Sequence, residues 1–178
     1  MAGEIGFDAE GLEFCCTVTP DPHMLDYNGH LNIAYYGILF EEAARCVFSR
    51  LDVSKAYRER TDCALFAVET HGVFHREVLE GEAVSLYCRL LDFDGRKLQC
   101  MFFMIKSSDH TLAATQEILF LHVSLRERRV VAFPEPQATR LSMLLRAHRQ
   151  KPVPVEMGRS VGLRGRVRKP VPDVGGKA

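Results

Sequence analysis

Asp26-Tyr27-Asn28-Gly29-His30-Leu31-Asn32, followed without a break by the segment Ile33 to Leu51, decides how this chain is read. The first seven residues are polar and centred on Asn28-Gly29, a dipeptide that turns the backbone. The next nineteen change period. Ile33, Tyr36, Phe40, Ala44, Val47, Phe48 and Leu51 recur at steps of three and four, which predicts an amphipathic helix of about five turns. Asn32 stands where an N-cap belongs.

Outward from that junction the pattern is β. Glu13–Thr19 is a short strand stopped by Pro20 and Pro22, and Leu65–Leu79, Ala83–Phe93, Lys97–Lys106 and Thr111–Leu125 read as long strands. Asp94-Gly95 marks a tight hairpin, and residues 107–110 mark a further turn. One long helix against a five-stranded antiparallel sheet is an α+β solution. Past Phe133-Pro134-Glu135-Pro136, residues Thr139–Arg149 can form another amphipathic helix. Val153–Ala178 lacks aromatics and is expected to be mostly disordered.

The 178 residues suffice for one core, and no apolar run reaches the roughly 20 residues of a membrane helix. The net charge of zero conceals two unlike parts. Residues 146–178 hold nine Lys/Arg against two Asp/Glu, so residues 1–145 are acidic by the same margin. The expected organisation is therefore a domain at 1–145 and a basic Gly/Pro/Arg-rich tail at 146–178. Without interleaved aromatics the tail is a poor nucleic-acid module. A nucleic-acid binder is thus the lesser alternative, to be betrayed by steep salt dependence. The acidic start lacks a signal peptide's basic and apolar regions, and no C-x-x-C occurs among six cysteines. Reduced thiols in a cytoplasmic protein are the expectation. No metal is expected either. His71 and His75 lie roughly 13 Å apart if they are on a strand, too far to share an ion.

The loop before the helix suits acyl chemistry. A helix N-terminus offers unpaired N–H groups and the positive end of the dipole. Gly29 permits close approach, and a carbonyl there would be polarised. Asp26 can act as nucleophile or as general base, and His30 can orient water or donate to the carbonyl. The same residues also make an ordinary surface turn with Asn32 as its cap. Glu41 and Glu42 are rival carboxylates on the helix.

Asp26, Gly29, His30 and Asn32, with Ala34-Tyr35-Tyr36 and Phe40–Arg45, resemble the hotdog-fold thioesterases of the 4-hydroxybenzoyl-CoA thioesterase type. In that fold a sheet wraps a central helix. Val68-Glu69-Thr70-His71, Glu77, Gly81, residues 112–115, Leu121-His122-Val123 and Phe133-Pro134 are similar to the betainyl-CoA thioesterases of carnitine catabolism. The resemblance implies hydrolysis of a small acyl-CoA to free acid and CoA without a cofactor. It makes Asp26 the catalytic carboxylate and the Gly29–His30 amides the carbonyl-polarising site. It also implies a homodimer or homotetramer with sites at the subunit interface. Thioesterases for medium-chain or aromatic acyl-CoA, or for acyl carrier protein, are the alternative within the fold.

A trimethylammonium acyl group needs aromatic faces or a carboxylate. Tyr27, Tyr35, Tyr36, Phe66 and Phe74 lie near the expected site, and strict alternation would put Glu69, His71, Val73, His75 and Glu77 on one strand face. Phe66, Val68 and Phe74 would then share the helix side. Glu69 and His71 join the tyrosines as substrate candidates. Arg76, Arg89, Arg96 and Lys97 could meet the CoA phosphates, with Arg96 and Lys97 beside the hairpin glycine preferred.

Overall fold

The structure, a computed structural model, describes Ala9, residues 11–155 and residues 157–161. The sheet has five long antiparallel strands: β1 (Glu13–Val18), β2 (Cys63–Phe74), β3 (Val84–Phe93), β4 (Lys97–Lys106) and β5 (Leu112–Ser124). A two-residue strand, β6 (Arg129–Val130), pairs with β5. The spatial order is β1-β3-β4-β5-β2, so the strand that follows the long helix forms the far edge.

That helix is α1 (Ile33–Arg50). Its buried stripe of Tyr36, Leu39, Phe40, Ala43, Ala44, Val47 and Phe48 has the spacing that one helix face requires. Ile33, expected in the stripe, is exposed instead. The Asn32 side chain accepts the Ala34 N–H at 3.0 Å, as a cap should. Phe48 meets Phe120 of β5 edge-on, and Phe40 meets Phe102 of β4. These contacts fix which face of the sheet wraps the helix.

β4 is buried on both faces for most of its length. Its inner side chains join the helix core, while Met101, Phe103 and Ile105 form an outer cluster with Leu12, Tyr87 and Leu112. Two short features were not legible in advance: a 3-10 turn at Pro22–Met24 and the helix α2 (Lys55–Thr61) in the polar link. Helix α3 (Glu135–His148) starts four residues before the expected Thr139. Pro136 does not stop it, because a first-turn residue needs no N–H partner.

α3 runs past residue 145, and the segment just after it is tied to the sheet. Arg89 of β3 is buried and donates to the carbonyls of His148 at 2.9 Å and Lys151 at 2.7 Å, and also to that of Pro152. His148 Nδ1 accepts the Leu90 N–H at 2.9 Å, where a bulge interrupts the β3–β4 register. Residues 153–155 and 157–161 contain no helix or strand, and 162–178 lie outside the described residues. All six cysteines are free. Among the described residues no helix is long and apolar enough to cross a membrane.

Candidate active site

Residues 25–31 form a closed loop ahead of α1. Leu25 and Leu31 pair as an isolated bridge, and the Asp26 N–H donates to the His30 carbonyl at 2.8 Å. Gly29 turns the chain at a φ of 78°, where an L side chain would be strained. The Asp26 carboxylate closes the loop from inside. Oδ1 accepts the Asn28 N–H at 2.8 Å and the His30 N–H at 3.2 Å. Desolvation works against ionisation of Asp26, but these two amide donors, the Asn28 side chain and the His30 ring together outweigh it, and the carboxyl titrates below its ordinary range.

This arrangement alters the expected division of labour. The Gly29 N–H donates to the Asp26 carbonyl at 3.0 Å, and the His30 N–H is held by the Asp26 carboxylate. Both amides expected to polarise a carbonyl are therefore engaged within the loop. In the first turn of the helix, the Ala34 N–H goes to the Asn32 side chain and the Tyr35 N–H to the Asn32 carbonyl.

The segment after β2 docks against this loop. Leu31 N–H donates to the Val78 carbonyl at 2.8 Å, and His30 bridges to Leu79. With the backbones in register, Glu77 Oε2 lies 3.2 Å from His30 Nε2. Asp26, His30, Tyr36, Phe74, His75, Arg76 and Glu77 line a cleft of about 330 Å³. The buried Tyr36 ring meets Phe74 edge-on at 4.8 Å. Burial raises the Tyr36 phenol above its ordinary value. A hydrogen bond to the Val78 backbone opposes this, while the Asp26 and Glu77 carboxylates add to it. Tyr36 accordingly stays a protonated phenol at neutral pH.

The other expected residues fall elsewhere. Tyr27 is 98% exposed at the loop tip, and Tyr35 packs edge-on against His23. A bulge at Val68 shifts the β2–β5 register and inverts the alternation beyond it. Phe74 consequently faces the helix side opposite Ala114, whereas Glu69 and His71, opposite Leu119 and Glu117, point to the outer side with Phe66. The expected grouping of Phe66 with Phe74 is thus corrected, because strict alternation fails where one strand carries an extra residue. Glu69 and His71 are not among the residues lining the Asp26 cleft. Arg96 and Lys97 sit in the β3–β4 hairpin, their N–H groups held by Asp94 Oδ1. From there to the cleft is most of the length of β4, about 25 Å within one protomer.

Sequence reasoning grouped Glu77 with the wrong neighbours by extending β2 through it. The usable signal was the apolar pair Val78-Leu79 between charged neighbours, which marks a separate short pairing segment. Of the rival carboxylates, Glu42 is paired with Arg45, and Glu41 lines a different cleft of about 560 Å³ between α1, α2 and the start of β2. No group of three or more His, Cys, Asp or Glu able to hold a metal occurs among the described residues.

The chain is 33% identical over 142 residues to a betainyl-CoA thioesterase of Pseudomonas aeruginosa, covering 80% of this chain and 89% of that protein. It is 30% identical to the L-carnitine dehydrogenase/betainyl-CoA thioesterase of a Rhizobium species, a match covering 78% of this chain and 28% of that longer protein. Among solved structures, a putative thioesterase of Pseudomonas putida superposes with a TM-score of 0.74 at 26% identity, covering 85% of this chain and 97% of that one. A Staphylococcus aureus protein in complex with CoA superposes at 0.79 with 24% identity, covering 85% and 96%. The thioesterase-like superfamily model matches residues 20–141. With its helix-wrapping sheet and its loop at the helix start, the chain belongs to the thioesterase-like superfamily and has the hotdog fold.

Proposed function

We propose that this acyl-CoA thioesterase hydrolyses small acyl-CoA thioesters, betainyl-CoA foremost, to free acid and CoA. One observation carries the reading. The cleft at the start of α1 combines a carboxylate, Asp26, with two aromatic walls, Tyr36 and Phe74, and a second carboxylate, Glu77. Aromatic faces and anionic groups are what a quaternary ammonium recognises. The betainyl-CoA thioesterase of Pseudomonas aeruginosa supports the same substrate.

In the reaction, the C–S bond of the thioester breaks, water supplies the new C–O bond, and CoA leaves as the thiol. Asp26 is the catalytic carboxylate, as nucleophile on the carbonyl or as base on water. Its bond to the His30 N–H, at 3.2 Å, is longer than that to the Asn28 N–H, at 2.8 Å. Releasing the longer bond frees the His30 N–H as an oxyanion donor next to the positive end of α1, while Oδ1 stays held by the Asn28 N–H.

The protein works as a homodimer paired through β2. This twelve-residue strand bonds β5 on one side only, and it exposes Phe66 and Val68. A long apolar edge invites a second copy. The test is a thiol-release assay on betainyl-, acetyl-, hexanoyl- and 4-hydroxybenzoyl-CoA. The reading requires betainyl-CoA to give the highest kcat/KM; a clear preference for hexanoyl- or 4-hydroxybenzoyl-CoA would replace it.

A further inference from the structure

We infer that Glu77 is the residue that reads the positive charge of the acyl group. This rests on the proposed hydrolysis of betainyl-CoA and names the specificity determinant of that site.

The cleft holds two carboxylates, and their environments differ. Asp26 Oδ1 is committed to two backbone amides, and Oδ2 has the Asn28 side-chain amide at 3.5 Å. Its charge is already spread over the loop's own donors. Glu77 Oε2 lies 3.2 Å from His30 Nε2, its ion-pair contact among the described residues. That approach sets the Glu77 carboxylate beside the His30 ring on the wall of the cleft. His30 itself cannot drift, because its backbone is pinned by the Asp26 N–H, by Asp26 Oδ1 and by the bridge to Leu79.

Glu77 also lies beside the aromatic corner. Tyr36 feels both the Asp26 and the Glu77 charge, and Phe74 stands 4.8 Å from the Tyr36 ring with its own ring partly exposed. Trimethylammonium cannot donate a hydrogen bond, so it is held by π-faces and by charge at close range. Arg76 lines the same cleft and directs Nη1 to the His75 carbonyl. With Asp26 turned toward its loop, Glu77 is the carboxylate on the cleft wall placed to attract a cationic acyl group.

The experiment compares betainyl-CoA with 3,3-dimethylbutanoyl-CoA, in which carbon replaces the ammonium nitrogen and the shape is kept. Glu77→Gln in the full-length protein should lower kcat/KM for betainyl-CoA about tenfold, mainly through KM. The neutral isostere should fall by no more than about threefold, the share owed to a less well held His30. On the wild type, raising NaCl from about 50 to about 500 mM should raise KM for betainyl-CoA more than for the isostere, because the CoA phosphates are common to both. This second readout stands even where the variant folds poorly. Parallel losses for both thioesters in a folded Glu77→Gln protein or equal salt responses would each overturn the inference alone, whereas wild-type preference for the isostere would overturn betainyl-CoA as the foremost substrate as well. A wild-type protein that cleaves neither thioester overturns the proposed substrate, and this inference with it.

Discussion

Acidification from pH 7.5 to 5.5 should destabilise this protein through two buried histidines, His122 and His148. His122 is 1% exposed. Tyr57 donates to its Nε2 at 2.8 Å, Nδ1 lies 3.0 Å from the Val131 carbonyl, and Phe133 stacks on the ring at 4.1 Å. His148 is 2% exposed; Nδ1 accepts the Leu90 N–H, and Nε2 is buried without a partner. Desolvation lowers the pKa of both. For His122 the backbone at Val131 and Ala132 opposes this, and for His148 Glu13 and the Leu90 backbone oppose it while Arg89 adds to it.

A histidine whose folded pKa is lowered keeps its stabilising effect above the unfolded value, near 6.5. Below that pH the unfolded chain binds a proton that the folded chain refuses, so stability falls as pH falls toward the folded value. If neither native ring takes up a proton, each histidine costs at most about 1.4 kcal/mol between pH 7.5 and 5.5, and the pair at most about 2.7 kcal/mol. Urea unfolding at both pH values, at one fixed protomer concentration, measures this directly. His148→Asn keeps an acceptor near the Leu90 amide and removes one proton site, so it should roughly halve the pH-dependent loss. A wild type equally stable at both pH values, or a variant with an undiminished loss, would refute the reasoning.

Three further perturbations probe the site, the sheet edge and the end of α3. Asp26→Asn preserves an acceptor for the Asn28 and His30 amides but cannot attack or take a proton; turnover should drop by about 10³-fold or more with an unchanged circular-dichroism spectrum, and thiol release near wild-type rates would remove Asp26 from the chemistry. Phe66→Glu combined with Val68→Glu on β2 should shift the proposed homodimer toward monomer in sedimentation velocity; an unchanged species would overturn pairing through β2. Arg89→Ala strands the carbonyls of His148, Lys151 and Pro152 and should cost about 2–4 kcal/mol in urea unfolding, with faster amide exchange confined first to the end of α3; a stability within about 0.5 kcal/mol of wild type would show that the grip contributes little.

The parts of this fold legible in the sequence are those set by local rules. α1 was readable because its apolar residues recur with the helix period and Asn32 caps it, interactions that reach no further than four residues. The β3–β4 hairpin was readable because Asp94-Gly95 carries its own turn geometry, with Gly95 at a φ of 88°. The loop at Asp26 announced itself by composition, and its resemblance to hotdog thioesterases pointed to the family. The start of α3 was misplaced because Pro134 and Pro136 read as a break, although a proline inside the first turn is tolerated.

Tertiary structure alone decided which polar groups share the cleft. The Val68 bulge depends on how β2 meets β5, and it puts Phe74 on the helix side with Tyr36 while Phe66 stays on the outer side, separating two residues that a period of two would group. Glu77 meets His30 across 47 residues of chain because Leu31 pairs with Val78, a contact no local pattern encodes. The burial of Arg89 and His148 likewise depends on where α3 ends over β3. Sequence determined the helix, the hairpin, the loop that carries Asp26 and the family, since propensity and turn chemistry act over a few residues. The place of Glu77 and the free edge of β2 were decided by long-range pairing, whose register depends on every strand of the sheet at once.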